Sequence, residues 1–263
     1  MYSSFDVRPV LSRLFYPRRD RLGTSANGAE WTIPVAEGIS LGARWFDAGP
    51  SSAALLFFHG NGEIADDYAD LGPLFVQRGL SLLVADYRGY GWSGGTPTVA
   101  AMMADSHAVF EHLSHWLERR ERTGPVLVMG RSLGSAPAVE LAGALGFPRV
   151  AGLVVESGFA RAKPLLRTLG VGEGDIKRLA GEGLDNVHTI RRYAGPTLVI
   201  HGALDHLIPV GDGQALYEAS PAESKQMLVV PRADHNSLFQ YGLENYLEAV
   251  ARLARDCLPS VEV

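Results

Sequence analysis

The chain has one cysteine, Cys257, in 263 residues. An intramolecular disulfide is therefore impossible, and nothing in the composition calls for an oxidising compartment. No apolar run approaches the roughly 20 residues that span a bilayer. Basic charge is also short. The 24 Lys and Arg face 29 Asp and Glu, for a formal net charge of −5. That balance argues against nucleic acid as a partner, because phosphate binding needs clustered cations. A signal peptide is missing as well, since Asp6, Arg8, Pro9 and Arg13 interrupt the stretch from Phe5 to Tyr16. Internal repeats, low-complexity tracts and domain linkers are absent. The expectation is a single cytoplasmic domain without stable membrane insertion. The oligomeric state is not readable. Val10, Leu11, Leu14 and Phe15 make a short amphipathic turn, read as packing on the body of the fold rather than on a membrane.

What is present is a regular alternation. Hydrophobic residues make up 46% and charged residues 20%, enough for a sizeable buried core. Residues 31–34 and 39–46 read as a strand hairpin across Ala36-Glu37-Gly38. Continuous apolar runs at 53–59, 81–87, 125–129, 150–156, 197–201 and 226–230 read as buried strands. Helical periodicity lies between them at 67–78, 98–120, from Ser135 to about 145, 213–219 and 238–258. Strands alternating with helices predict an α/β fold, a mostly parallel central sheet with helices on both faces and an antiparallel hairpin at its edge. Residues 160–193 break the rhythm with short helical pieces around Gly170, Gly172, Gly174, Gly181 and Gly183. They read as a short lid insert over a fairly open site, mobile enough to gate access.

In such sheets ligands bind at the carboxyl ends of the strands, and the chemistry-bearing residues fall there. Gly130-Arg131-Ser132-Leu133-Gly134 joins the strand at 125–129 to a helix with Pro137 in its first turn. A strand, a tight turn and a helix are what expose a serine hydroxyl at a Gly-x-Ser-x-Gly motif. The pattern alone is weak, because Gly91-Trp92-Ser93-Gly94-Gly95 also matches it. That second match sits in a glycine-rich loop and not at a direct strand-to-helix turn, so Ser93 reads as a loop residue and Ser132 as the nucleophile.

A serine hydroxyl needs a base to take its proton and a buried acid to orient that base. Asp205 follows the strand at 197–201, and His235 follows the last strand. Asp234 and Glu156 compete with Asp205 as the acid. Asp234 adjoins His235, and neighbours in a loop rarely point at each other. Glu156 is otherwise read as a hydrogen-bonding support of its loop. His59 and His201 end strands before glycine and read as structural. His107, His112 and His115 share one helix without a third ligand, so they read as a solvated face and not as a metal site. His206 reads as a rim residue, and His188 is unplaced. A tetrahedral anion needs two N–H donors. Leu133 supplies one, and Asn61 in His59-Gly60-Asn61-Gly62 is the candidate for the other.

Together these motifs resemble the serine alpha/beta hydrolases. The similar members carry His-Gly-Asn after the third strand, an Asp-Tyr-Arg-Gly-Tyr-Gly-x-Ser-x-Gly loop (here Asp86 to Gly95) and a Gly-x-Ser-Leu-Gly elbow. They include the BEM46-like hydrolases, the alpha/beta hydrolase domain-containing proteins 13 and 17, and bacterial esterases. The resemblance runs from His59 to His235, and that family's chain order is serine, acid, histidine. It implies hydrolysis of small-molecule carboxylic esters, or of thioesters in depalmitoylating relatives, without metal or organic cofactor. Those relatives carry an N-terminal cysteine cluster that this sequence lacks, which disfavours depalmitoylation. Ser135 stands where many members have a second glycine. Asp86 and Arg88 read as residues that pin their loop, with no chemistry of their own. The rivals are an acyl-thioesterase, an aminopeptidase-like serine peptidase and a non-catalytic binding protein of the same fold. The short insert disfavours the peptidase, and the intact Ser132, Asp205 and His235 disfavour the binding protein.

Overall fold

The computed structural model describes residues 2–20, 27–179 and 184–258. Gly181 and Gly183 of the insert lie outside the described residues. The strands are β1 (Ala29–Ala36), β2 (Ile39–Phe46), β3 (Ala53–Phe58), β4 (Leu80–Ala85), β5 (Val126–Arg131), β6 (Gly152–Glu156), β7 (Thr197–Gly202) and β8 (Lys225–Val230). Among the described residues these eight form one sheet, in the order β1-β2-β4-β3-β5-β6-β7-β8. Every pairing from β4 through β8 is parallel; β2 pairs antiparallel with both β1 and β4. The alternation of apolar runs and helical stretches thus yields the expected α/β architecture.

The central strands are apolar on both sides because both sides are covered. On β3, Leu55 and Phe57 join the cluster packed under α2 (Gly72–Val76) and α9 (Leu238–Asp256). Leu56 and Phe58 join the opposite cluster with α3 (Val99–Arg119), α4 (Ser135–Leu145) and α8 (Val210–Ala219). Each fully buried Leu or Phe of this kind contributes about 1.5–3 kcal/mol. Helix α3 starts where Thr98 caps it, its side-chain oxygen accepting the Ala101 N–H at 3.0 Å.

The single helix expected over 67–78 is broken. A 3-10 turn covers Ala65–Tyr68, and α2 begins only at Gly72. Pro73 has no N–H to continue a helix and serves as a helix start instead. Gly72 lies against the Phe46 ring, where a Cβ would clash.

Near the N-terminus α1 (Arg8–Leu14) packs on the body, with Phe5, Val10, Leu14 and Phe15 all buried. The insert forms α5 (Ala162–Thr168), α6 (Glu173–Arg178) and α7 (Asn186–Ile190). Helix α1 touches α5. The parallel register sets the carboxyl ends of β3, β5 and β6 side by side, with Phe58 opposite Gly130 and Arg131 opposite Glu156.

Candidate active site

Strand β5 runs two residues further than its apolar run and ends at Arg131. Ser132 then takes φ 53°, a left-handed conformation costly for a residue with a Cβ. A 3-10 turn over Ser132–Gly134 leads into α4. The flanking glycines are required by space. A Cβ on Gly130 would overlap the Gly134 carbonyl, and one on Gly134 would overlap the Phe58 carbonyl. Ser135 closes the turn, its hydroxyl donating to the Ser132 carbonyl at 2.6 Å. Gly134→Ala must push backbone against backbone. It should cost about 1–3 kcal/mol or more, read as a lower midpoint in urea denaturation.

The three residues that the sequence places after three different strands meet at this turn. His235 Nε2 lies 2.9 Å from Ser132 Oγ, and His235 Nδ1 lies 2.7 Å from Asp205 Oδ2. Asp205 Oδ1 accepts the N–H groups of Leu207 at 3.0 Å and Ile208 at 2.8 Å. Burial alone would raise the Asp205 carboxyl. Hydrogen bonds from His201 and His235, and from the Ile208 N–H, outweigh it and hold the group well below the usual carboxylate range. A hydroxyl on one imidazole nitrogen and a carboxylate on the other is an arrangement that can move a proton off the hydroxyl.

The competing residues have other partners. Asp234 is exposed and accepts from Ser237 Oγ at 2.6 Å and the Asn236 N–H at 2.9 Å. Glu156 is buried, takes Arg131 Nε at 3.0 Å and accepts from the Tyr246 hydroxyl at 2.7 Å. His201 Nε2 lies 2.8 Å from the Ile208 carbonyl and 3.5 Å from Asp205 Oδ2, so it braces the loop that carries Asp205. Ser93 is buried, and its hydroxyl accepts the Gly42 N–H at 2.8 Å, tying its loop to β2. Arg88 forks onto Asp105 with two bonds of 2.7 Å. The thiol of Cys257 donates to the Ala151 carbonyl, and burial pushes it up to about 11.

Leu133 is buried directly after the serine. Asn61 stands in the loop after β3 with its Oδ1 taken by the Tyr16 N–H and the Tyr90 hydroxyl, each at 2.8 Å. The amides around it are occupied. Gly60 donates to Glu63 Oε2, Glu63 to the Gly60 carbonyl, Ile64 to Asp67 and Ala65 to Asp86. The Gly62 N–H faces the Tyr90 hydroxyl. Among the described residues nothing accepts from the Asn61 N–H.

Sequence reasoning missed Arg131, the variable position of the motif. Its guanidinium binds Glu63 and Glu156, and its Nη2 donates to the His235 carbonyl at 2.8 Å and to Asn236 Oδ1 at 3.0 Å. The only signal in the sequence was a charged residue next to a buried serine. A cavity of about 450 Å³ between α2 and α9 is walled by Glu63, Arg131 and Asn236, with Leu71, Leu74 and Phe239. Neither Ser132 nor His235 lines it. Ser132 and His235 are each 8% exposed.

Residues 49–189 match the family described as serine aminopeptidase, S33. An uncharacterized protein of Mycobacterium tuberculosis is 33% identical over 216 residues, 80% of this chain and 73% of that protein. Alpha/beta hydrolase domain-containing protein 17C of Xenopus laevis is 29% identical over 231 residues, covering 85% and 68% of the two chains. Among solved structures, the Pyrococcus furiosus esterase Pf2001 is similar with a TM-score of 0.72. It is 19% identical, and the match covers 93% of this chain and 100% of that one.

Proposed function

The chain belongs to the alpha/beta-hydrolase family described as serine aminopeptidase, S33, and from that premise we propose that it is a serine hydrolase cleaving carboxylic esters. The observation that carries the reading is the pair of hydrogen bonds joining Ser132 Oγ to His235 Nε2 and His235 Nδ1 to Asp205. Ser132 attacks the acyl carbonyl while His235 takes its proton. Asp205 keeps the proton on Nδ1, so that Nε2 is free to accept. The N–H groups of Leu133 and Asn61 hold the tetrahedral anion. His235 returns the proton to the leaving alcohol, then activates the water that hydrolyses the acyl-enzyme. No step calls on a metal or an organic cofactor.

The test pairs a p-nitrophenyl ester series, from acetate to palmitate, with fluorophosphonate labelling located by peptide mapping. Turnover with the label on Ser132 is expected, and the chain-length optimum sizes the acyl site. An enzyme silent on every ester and unlabelled at Ser132 overturns the reading. The family description favours a second reading, an aminopeptidase, which uses the same three residues. Amino-acid p-nitroanilides in the same assay separate the two. Faster turnover of anilides than of esters replaces the ester reading.

A further inference from the structure

The Asp86–Gly95 loop takes no part in the chemistry above, yet it reaches the loop after β3 at four points. Tyr87 donates its hydroxyl to the His59 carbonyl at 2.6 Å. Tyr90 donates to Asn61 Oδ1 at 2.8 Å, and its hydroxyl faces the Gly62 N–H. Asp86 accepts the Ala65 N–H at 2.8 Å. The rings reinforce this, with His59 packed 4.6 Å from Tyr87 and 5.6 Å from Tyr90 between centroids. A third segment closes the arrangement. The Tyr16 N–H lies 2.8 Å from both Asn61 Oδ1 and the Tyr90 hydroxyl. Its strand of chain is bolted down where Gly91 donates to the Arg18 carbonyl and Asp20 to the Gly91 carbonyl.

The consequence is selective. Two distant segments take the His59 carbonyl, Asn61 Oδ1 and the Gly62 N–H, Glu63 of the same loop takes the Gly60 N–H, and the Asn61 N–H is left unpaired among the described residues. We infer that Tyr90, with the Tyr16 main chain, is a positioning residue that aims the Asn61 N–H at the developing oxyanion. The inference rests on the serine hydrolase reading and deepens it. An oxyanion donor helps only if it is fixed before the anion forms. A glycine on each side of Asn61 leaves that loop little stiffness of its own, so it must be held from outside. The Tyr90 hydroxyl holds it at two adjacent residues.

The test is Tyr90→Phe, which keeps the buried ring and removes only the hydroxyl. Tyr16→Pro is the second variant. It deletes the N–H of a largely exposed residue, and Phe15 before it is already extended (φ −127°, ψ 121°), as a residue preceding proline must be. Each is assayed for kcat and KM on a p-nitrophenyl ester, for melting temperature and for affinity toward an alkylboronic acid. The boronate forms a tetrahedral anion on a serine, and since these variants leave Ser132 and His235 unchanged, a change in its affinity reads the oxyanion donors without turnover. Expected is a fall in kcat of about 10- to 100-fold and a boronate affinity that falls by the same factor. KM should stay within about twofold. An unchanged boronate affinity overturns the inference, whether kcat holds or falls together with the melting temperature. A loss expressed in KM also overturns it. In those cases wild-type turnover and Ser132 labelling persist, so the serine hydrolase reading stands. A wild type that neither turns over nor labels removes both.

Discussion

Asp205→Asn should lower kcat/KM on a p-nitrophenyl ester by about 10⁴-fold while leaving the fold and KM close to wild type. The size of the effect comes from one proton. Asp205 Oδ1 accepts two backbone N–H groups, and Oδ2 accepts from His235 Nδ1. An asparagine keeps its oxygen on the backbone donors, because a buried N–H left unpaired costs about 1–3 kcal/mol. Its NH2 group must then face His235. Two donors cannot share that contact, so the imidazole proton moves to Nε2 and points at Ser132 Oγ. A base that already carries a proton where it must accept one is inactive. Ser132→Ala should fall further, by about 10⁶-fold. Ser93→Ala is the internal control, since that hydroxyl only accepts the Gly42 N–H. It should lose about 1 kcal/mol of stability and keep its turnover. Loss of activity in Ser93→Ala with activity retained in Ser132→Ala would move the nucleophile to the other motif.

The sheet was legible because its central strands are buried on both faces and so are written as unbroken apolar runs. The helix at 67–78 was not, because its apolar spacing says nothing of where Pro73 and the Phe46 ring interrupt it. Ser132, Asp205 and His235 were legible because loop chemistry recurs at strand ends, and a parallel register brings those ends together. Arg131 was illegible for the opposite reason. Its partners Glu63, Glu156 and His235 come from three other strand ends, and no local pattern announces a contact across that many residues. Tyr90 stands in the Asp86–Gly95 loop motif, but its bonds to Asn61 and the Tyr16 N–H cross to distant segments and carry no local pattern.

Arg131→Met should destabilise the protein by about 3–5 kcal/mol near neutral pH, with a deficit that grows as pH rises. Arg131 is 8% exposed and lies between Glu63 and Glu156. Burial raises the Glu63 carboxyl, but the Arg131 charge, together with the Tyr68 hydroxyl, His59 and the Gly60 N–H, outweighs it and the net shift is downward. At Glu156 burial wins and the net shift is upward, with Arg131 offsetting part of it. Without the arginine both carboxyls lose their nearby cation, so both shift upward. A group whose folded pKa is raised contributes stability below its unfolded value and loses it as pH rises through the folded one. The variant should therefore stand closest to wild type at about pH 5 and furthest at about pH 8, by urea denaturation. Adding Glu63→Gln and Glu156→Gln removes the uncompensated charge and should recover much of the loss, most clearly at the higher pH. Activity should not recover with it. Arg131 also holds the His235 carbonyl and Asn236 Oδ1, and neither glutamine replaces that anchor. A triple variant that regains stability but remains slow would separate the two tasks of the guanidinium, neutralising two buried acids and fixing the loop that carries the histidine. A triple variant that regains both would mean that charge balance alone keeps His235 beside Ser132.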